Sequence, residues 1–462
     1  MKVAFSRVNI TPKEFIGKSM AGYTRKDPCR GKLDDIHAYG VLIESDSLTK
    51  EHLLLISIDL LKIPLSIGNY IKNKIITAFP LLRLHNIIIH ATHTHSSLDL
   101  TGEFYWPGGF FNVIKGIMFG MNRNDKFIIR ISYKIVNMVK NLFNNLESCK
   151  IALKYKKFNS NIVINRRHPE REVHPNLIIL VFKKIQTNQL KGILISYACH
   201  PTTLSFKNNN LSADYPGRII YRINELTTSK ISSIYFNGPS GDLNPITTCG
   251  IDFEKLSQDK SLIYNQLGDY NDTIRIGNSL AEEALELAKN IPESDFFDHI
   301  KFQVFEREFL VPMKDYKYFT KTWFVNKLYF LIKKYFILKF AKGNILNANF
   351  PIFILKRRKL KLFCKSLIQF VEFKAISKEK SLLFSIMTIP GELFEDIGKN
   401  LIKISPTSNN TFIFQNSQDW IGYLFPLKEY VQDGGYEPVP SFSPLCGYYV
   451  EKEMKKLLTT VK

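Results

Sequence analysis

Apolar positions along the chain repeat with two periods. Short apolar or alternating runs at residues 3–12, 38–44, 53–59 and 88–91 read as strands. Residues 65–79 instead carry apolar positions at helical spacing. Strand, helix, strand in that order is the mark of a crossover between parallel strands. In residues 125–146 the spacing of Ile128, Ile131, Ile135, Met138 and Leu142 predicts an amphipathic helix. Further strands are expected at 151–155, 177–182, 193–199, 231–236, 382–388 and 411–415. Helices are expected at 214–224 and 276–290, from Leu393, and in a closing segment from Tyr448. The pattern is that of an α/β protein. It shows no internal repeat or linker, so residues 1–462 are read as a single domain.

Two stretches break this regularity. Residues 314–365 mix Trp323, Phe324, Leu328, Leu331, Ile332 and Tyr335 with many lysines and a single acidic residue, Asp315. We expect a basic, aromatic helical pair there. Its apolar stripe either covers the main domain or makes peripheral contact with an anionic membrane. The Gly- and aromatic-rich loop at 97–120, with Trp106, reads either as a core cap or as a rim for an apolar substrate.

The net charge of +21 favours anionic surroundings, but it is dispersed along a chain rich in Lys, Asn, Ile and Phe. A drift in overall composition explains it equally well, and no nucleic-acid partner is expected. Six cysteines lie far apart without a CxxC, as free thiols do in a reducing compartment. No signal-peptide core and no uncharged apolar window of about 18 residues is visible. The expected location is cytoplasmic, with peripheral membrane contact open; the oligomeric state is not legible.

Candidate chemistry begins where the apolar run at 88–91 empties into His93-Thr94-His95. If the strand continues, its period of two sends both imidazoles to one face, one to hold a metal and the other to move a proton. A hydrogen-bonded surface pair is the alternative. His200-Pro201 repeats the arrangement after the run at 193–199. Residues 237–245, Asn-Gly-Pro-Ser-Gly-Asp-Leu-Asn-Pro, form a tight loop with no hydrophobic content, as site loops do.

Several motifs, in order, resemble the catalytic domain of the neutral/alkaline, non-lysosomal ceramidases, zinc amidases that release a fatty acid from ceramide. These are Ile10-Thr-Pro, Met20-Ala-Gly-Tyr, His93-Thr-His-Ser and Ile164-Asn-Arg166. They continue with Tyr197-Ala-Cys-His-Pro201, Gly241-Asp-Leu-Asn-Pro245, Ile389-Pro-Gly-Glu392, Gly422-Tyr423, Tyr430 and Tyr436-Glu437. The resemblance implies a layered mixed β-sheet core flanked by helices. It also implies a zinc ion held by His93, His200, Glu392 and Tyr423, with His95 as proton carrier and Arg166 beside the metal. Imidazole and carboxylate suit a catalytic zinc that keeps one position open. The implied reaction is attack on an N-acyl amide, ceramide or a related lipid, by zinc-bound water.

The chain departs from that family in three respects. Asn244 stands where Gly-Asp-x-Ser-Pro has serine. An asparagine amide forms no acyl-enzyme but can donate to a developing oxyanion. Ser240 is assigned a turn role. The family's secretion signal and C-terminal β-sandwich find no match here. Two other readings therefore stay open: the same scaffold acting on an ester or an N-acyl sugar, and a non-catalytic binder of lipid or polyanion.

Overall fold

A near-continuous run of β-branched and leucine residues forms strands only if both faces are covered. The first eight long strands are β1 Lys2–Asn9, β2 His37–Glu44, β3 His52–Ile58, β4 Ile87–Ala91, β5 Glu147–Lys157, β6 Asn176–Lys184, β7 Leu190–Tyr197 and β8 Ser232–Asn237. Of these, β2, β3, β4 and β8 meet that condition, while β1 and β5 are partly exposed. The eight build one sheet in the order β8-β7-β6-β5-β1-β2-β3-β4. The sheet is parallel at its two ends, β8 with β7 and β3 with β4, and antiparallel between. The β3–β4 pair is the expected crossover, with α1, Leu65–Ala78, as its connection. In this computed structural model, residues 1–461 are described except 24, 48–49, 102–103, 105–123, 229, 248–267, 313–351, 357–358, 434–436 and 439.

A second sheet is made from β9 His299–Pro312, β10 Ile352–Lys356, β11 Lys359–Ile376, β12 Ser381–Thr388 and β13 Thr411–Phe414. Its order is β9-β11-β12-β13, with β10 also paired to β11. Alternation along these strands divides the interior into layers. Val3 and Val41 of the first sheet share a core with Val371, Phe373 and Phe384 of the second. Their sequence neighbours Ala4 and Leu42 face α1 and α2, Asp125–Asn144. On the outer side of the second sheet, Ile368 and Phe370 pack against α5, Glu395–Ile404, and α7, Cys446–Leu458. Between these in sequence, α3, Asp214–Leu226, packs on β8, and α4, Tyr270–Lys289, packs on β5 and β6; α6 is Leu427–Asp433. The result is a layered mixed-sheet core flanked by helices, as the sequence leads one to expect.

The expected helical pair at 314–365 is corrected at its C-terminal end. Residues 352–356 and 359–365 are strand, paired as a hairpin from Ile352 against Phe363 to Lys356 against Lys359. The physical reason is in the sequence: from Lys359 to Leu362 lysine and leucine alternate, a period of two that no helix face uses. The rest of that segment, 313–351, and the aromatic loop around Trp106 lie outside the described residues.

Candidate metal centre

The site is assembled from loops at the ends of both sheets. β4 stops at Ala91, so His93 and His95 are not carried on a strand, and the period-two argument does not hold. Instead the backbone N–H groups of Thr92 and His93 donate to the carbonyls of Ile58 and Leu60, both at 2.9 Å. His93 turns into the left-handed region, φ +69°. That conformation costs a non-glycine residue about 1 kcal/mol and is found where the surroundings over-determine it. The turn brings the His93 and His95 rings to 5.0 Å, centre to centre.

His200 follows β7, and its backbone N–H donates to Leu243 at 2.8 Å. Its ring centre lies 4.7 Å from that of His93 and 5.1 Å from that of His95. Glu392 comes from the second sheet's side of the molecule. It opens a two-residue strand, Glu392–Leu393, whose parallel register sets Glu392 directly beside Tyr423. The carboxylate interacts with the Tyr423 hydroxyl and accepts a 3.0 Å hydrogen bond from Trp420 Nε1 at Oε1.

Hydrogen bonding fixes which ring atoms face inward. His93 Nδ1 lies 2.6 Å from the Leu61 carbonyl, and His200 Nδ1 lies 3.0 Å from the Ser240 carbonyl. A carbonyl only accepts, so each Nδ1 carries the proton and each Nε2 presents a lone pair to the interior. His93 Nε2 sits 3.2 Å and His200 Nε2 3.6 Å from the same carboxylate oxygen, Glu392 Oε2. His93 Nε2 and Glu392 Oε2 are buried without a hydrogen-bond partner among the described residues. Acceptors this close need a cation between them. A proton can serve one pair; a divalent metal serves the whole set. His93, His95 and His200 can bring ligand atoms within 4.8 Å of one another, so these residues fit a zinc-type ion.

His95 differs from the other two imidazoles. Its Nε2 is 3.1 Å from His200 Nε2, and its Nδ1 is buried with no partner among the described residues. No backbone carbonyl locks its tautomer. Gly22, φ +97°, lies against its ring, where a Cβ would come within 2.5 Å of His95 Cγ. Tyr23 packs on the ring at 4.8 Å, so the Ala-Gly-Tyr motif forms the floor under His95.

Burial, with the neighbouring His93 imidazole, pushes His200 down to about 3. Burial, then His93 and His200, likewise holds His95 well below the usual histidine range. Burial alone would raise the Glu392 carboxyl, but the facing imidazoles and Tyr423 overcome it and hold it at about 2. The site therefore keeps His95 and His200 neutral and the carboxylate ionised at neutral pH, the states in which such groups ligate metals.

The short strands Val163–Asn165 and Leu243–Pro245 pair antiparallel, which brings Arg166 and Asn244 to the same rim. Arg166 donates through Nη2 to the Gly241 carbonyl at 2.6 Å and to Glu437 at 3.2 Å. Its guanidinium lies 5.1 Å from the centre of the Tyr423 ring. Asn244 lines the cavity, and its buried Oδ1 has no hydrogen-bond partner among the described residues. Together these groups, with Leu61, Phe104, Trp420 and Pro440, enclose a cavity of about 330 Å³. All seven site residues expected from the sequence line it. Ser240 does not: its hydroxyl is buried against Gln415 and Asn237, consistent with its turn role. Trp420, Leu61 and Gly22 were not singled out as site residues, because a carbonyl, an indole and a missing side chain leave no chemical signature in sequence.

No family model matches the chain, and no curated protein matches it in sequence. Solved structures do match. Neutral ceramidase from Pseudomonas aeruginosa superposes with a TM-score of 0.71 at 14% identity, covering 100% of this chain and 74% of that one. A ceramidase complexed with C2 gives a TM-score of 0.69 at 14% identity, covering 100% and 75%. The same layers of sheet and helix, recovered over the full length at so low an identity, show that this chain has the neutral ceramidase fold.

Proposed function

We propose that this chain is a zinc-dependent hydrolase of N-acyl amides, with ceramide or a related N-acyl lipid as the substrate class. The observation that carries the reading is the facing of three acceptors, His93 Nε2, His200 Nε2 and Glu392 Oε2, across a buried gap. His93, His200 and Glu392 would hold the ion, with Tyr423 completing the set. When bound, zinc polarises a carbonyl and acidifies water at neutral pH.

The remaining roles follow from the chain's own groups. His95, with neither ring nitrogen tied to a backbone carbonyl, is the proton mover and returns the proton to the leaving amine. Arg166, held by Gly241 and Glu437, presents a fixed cation to the acyl oxygen or product carboxylate. Asn244 offers its amide to the oxyanion in place of a hydroxyl nucleophile. Leu61, Phe104 and Trp420 give the acyl chain an apolar wall and exclude water.

The test is direct. Metal-loaded protein is incubated with an N-acyl lipid extract and matched fluorogenic amides and esters, and products are identified by mass spectrometry. Amide turnover that stops on chelation and returns with zinc is the expected result. Turnover of esters alone would reassign the bond, and zinc-loaded protein with no turnover would overturn the reading.

A further inference from the structure

The two loops that hold the metal-facing groups are bridged by Gln415, a buried side chain that does not line the cavity. Gln415 lies at the end of β13 with no solvent exposure. Its Oε1 accepts from the backbone N–H of Ser240 at 3.1 Å and from that of Leu393 at 2.9 Å. Its Nε2 donates to Ser240 Oγ at 2.7 Å. The amide can point only one way: a flipped group would set NH₂ against two N–H donors. Ser240 supplies the carbonyl that orients His200, and Leu393 is the residue after Glu392.

The loops also meet directly: Asp242 Oδ1 accepts from the Glu395 backbone N–H at 2.8 Å. Gly241 donates to the Leu393 carbonyl at 2.7 Å, and a Cβ on Gly241 would fall 2.5 Å from the Glu392 carbonyl oxygen. The backbones are pressed together and tied at Gly241 and Asp242. The Gln415 carboxamide adds a tie at the residue whose carbonyl orients His200, because its one oxygen is shared between the Ser240 and Leu393 N–H groups.

We infer that Gln415 is a positioning residue, a clamp that sets the distance between His200 and Glu392 and thereby tunes metal affinity. The inference rests on the metal reading above. Residues that orient ligands from outside the coordination sphere typically change metal affinity by about 10- to 100-fold when lost.

Three variants of the full chain test it. Gln415→Met keeps the shape and removes every hydrogen bond. Gln415→Glu keeps acceptors for both N–H groups, with the Ser240 hydroxyl now donating. Gln369→Met removes an equally buried amide, bonded to His85 and Glu306, that touches neither loop. Zinc affinity is measured by competition with a chromophoric chelator, and exchange of the Ser240 and Leu393 amides is followed in metal-free protein.

The expected result is zinc binding about tenfold weaker for Gln415→Met, close to wild type for Gln415→Glu, and unchanged for Gln369→Met at a similar loss of Tm. The Ser240 and Leu393 amides should exchange at least tenfold faster in Gln415→Met alone. Wild-type zinc affinity or unchanged exchange in Gln415→Met would overturn the clamp, as would equal weakening in Gln415→Glu. Should Gln415→Met fail to fold, Gln415→Asn, whose shorter amide cannot reach both the Ser240 and the Leu393 N–H groups, is read in its place by the same two measurements. If wild-type protein binds no zinc, the metal reading fails, while amide exchange still judges the clamp.

Discussion

His93 Nε2 and Glu392 Oε2 lie 3.2 Å apart although one follows the first sheet and the other belongs with the second. This contact places the strongest demand for a cation at the junction of the two layers. Elemental analysis of the purified protein should therefore find about one zinc per chain. His93→Ala combined with His200→Ala should abolish it and lower Tm, since ligand binding to the native state alone stabilises that state.

The metal-free protein should lose stability on mild acidification. Folded His200 is held at about 3 against an ordinary 6.5, so from pH 6.5 downward the unfolded chain takes up a proton that the folded one refuses. Stability is full above pH 6.5 and falls toward pH 3, by up to about 1.4 kcal/mol per pH unit. Urea denaturation at pH 7 and pH 5 should show this slope reduced by about one proton in His200→Gln. For Glu392 the window is lower: its contribution is present above 4.5 and is lost as pH falls through about 2.

Gly22→Ala should leave zinc bound but displace the His95 ring, because the new Cβ would sit 2.5 Å from Cγ. A loss of about 100-fold in kcat is expected for a misplaced proton carrier. Unchanged kcat in a folded, zinc-replete variant would remove His95 from the mechanism.

Asn244→Ala should lower kcat by about 10²- to 10³-fold with KM and zinc content little changed, the signature of an oxyanion donor. Were kcat unaffected, the amide would be a spectator facing the cavity.

Glu437 accepts from Arg166 and Arg167, at 3.2 and 3.1 Å, with all three groups buried. Removing the shared carboxylate takes one buried acceptor from both guanidiniums, with Glu429 still accepting from Arg167, and Glu437→Ala should cost about 3 kcal/mol in urea denaturation. Glu437→Gln, which keeps one acceptor, should cost less.

Much of this arrangement was legible in the sequence, for reasons that can be named. The first sheet was visible because most of its strands, β2, β3, β4 and β8 above all, are near-continuous apolar runs and its connecting helices repeat at 3.6. The imidazoles were visible because His93, His95 and His200 each follow an apolar run. The second sheet was harder to read. β9 buries one face only, so Ile300 and Phe302 alternate with charged and polar neighbours, and no element was expected there. In β11 the lysines drew attention to charge and hid a period of two. The expected strand geometry for the His-x-His pair also failed, since a left-handed turn at His93 cannot be read from residue type. Glu392 and Tyr423 were found only through motif order; their pairing across a two-residue ladder has no local signal.

The position of the second sheet in the chain has one more consequence. All three imidazoles precede residue 299, where that sheet begins, and both the carboxylate and the phenol come after it. A product truncated between the layers would keep the three imidazoles and lack Glu392, the one carboxylate among the described residues lining the cavity. Coupling the carboxylate to the last-made half means that, during synthesis on the ribosome, selectivity for the ion arrives only once both layers have been joined.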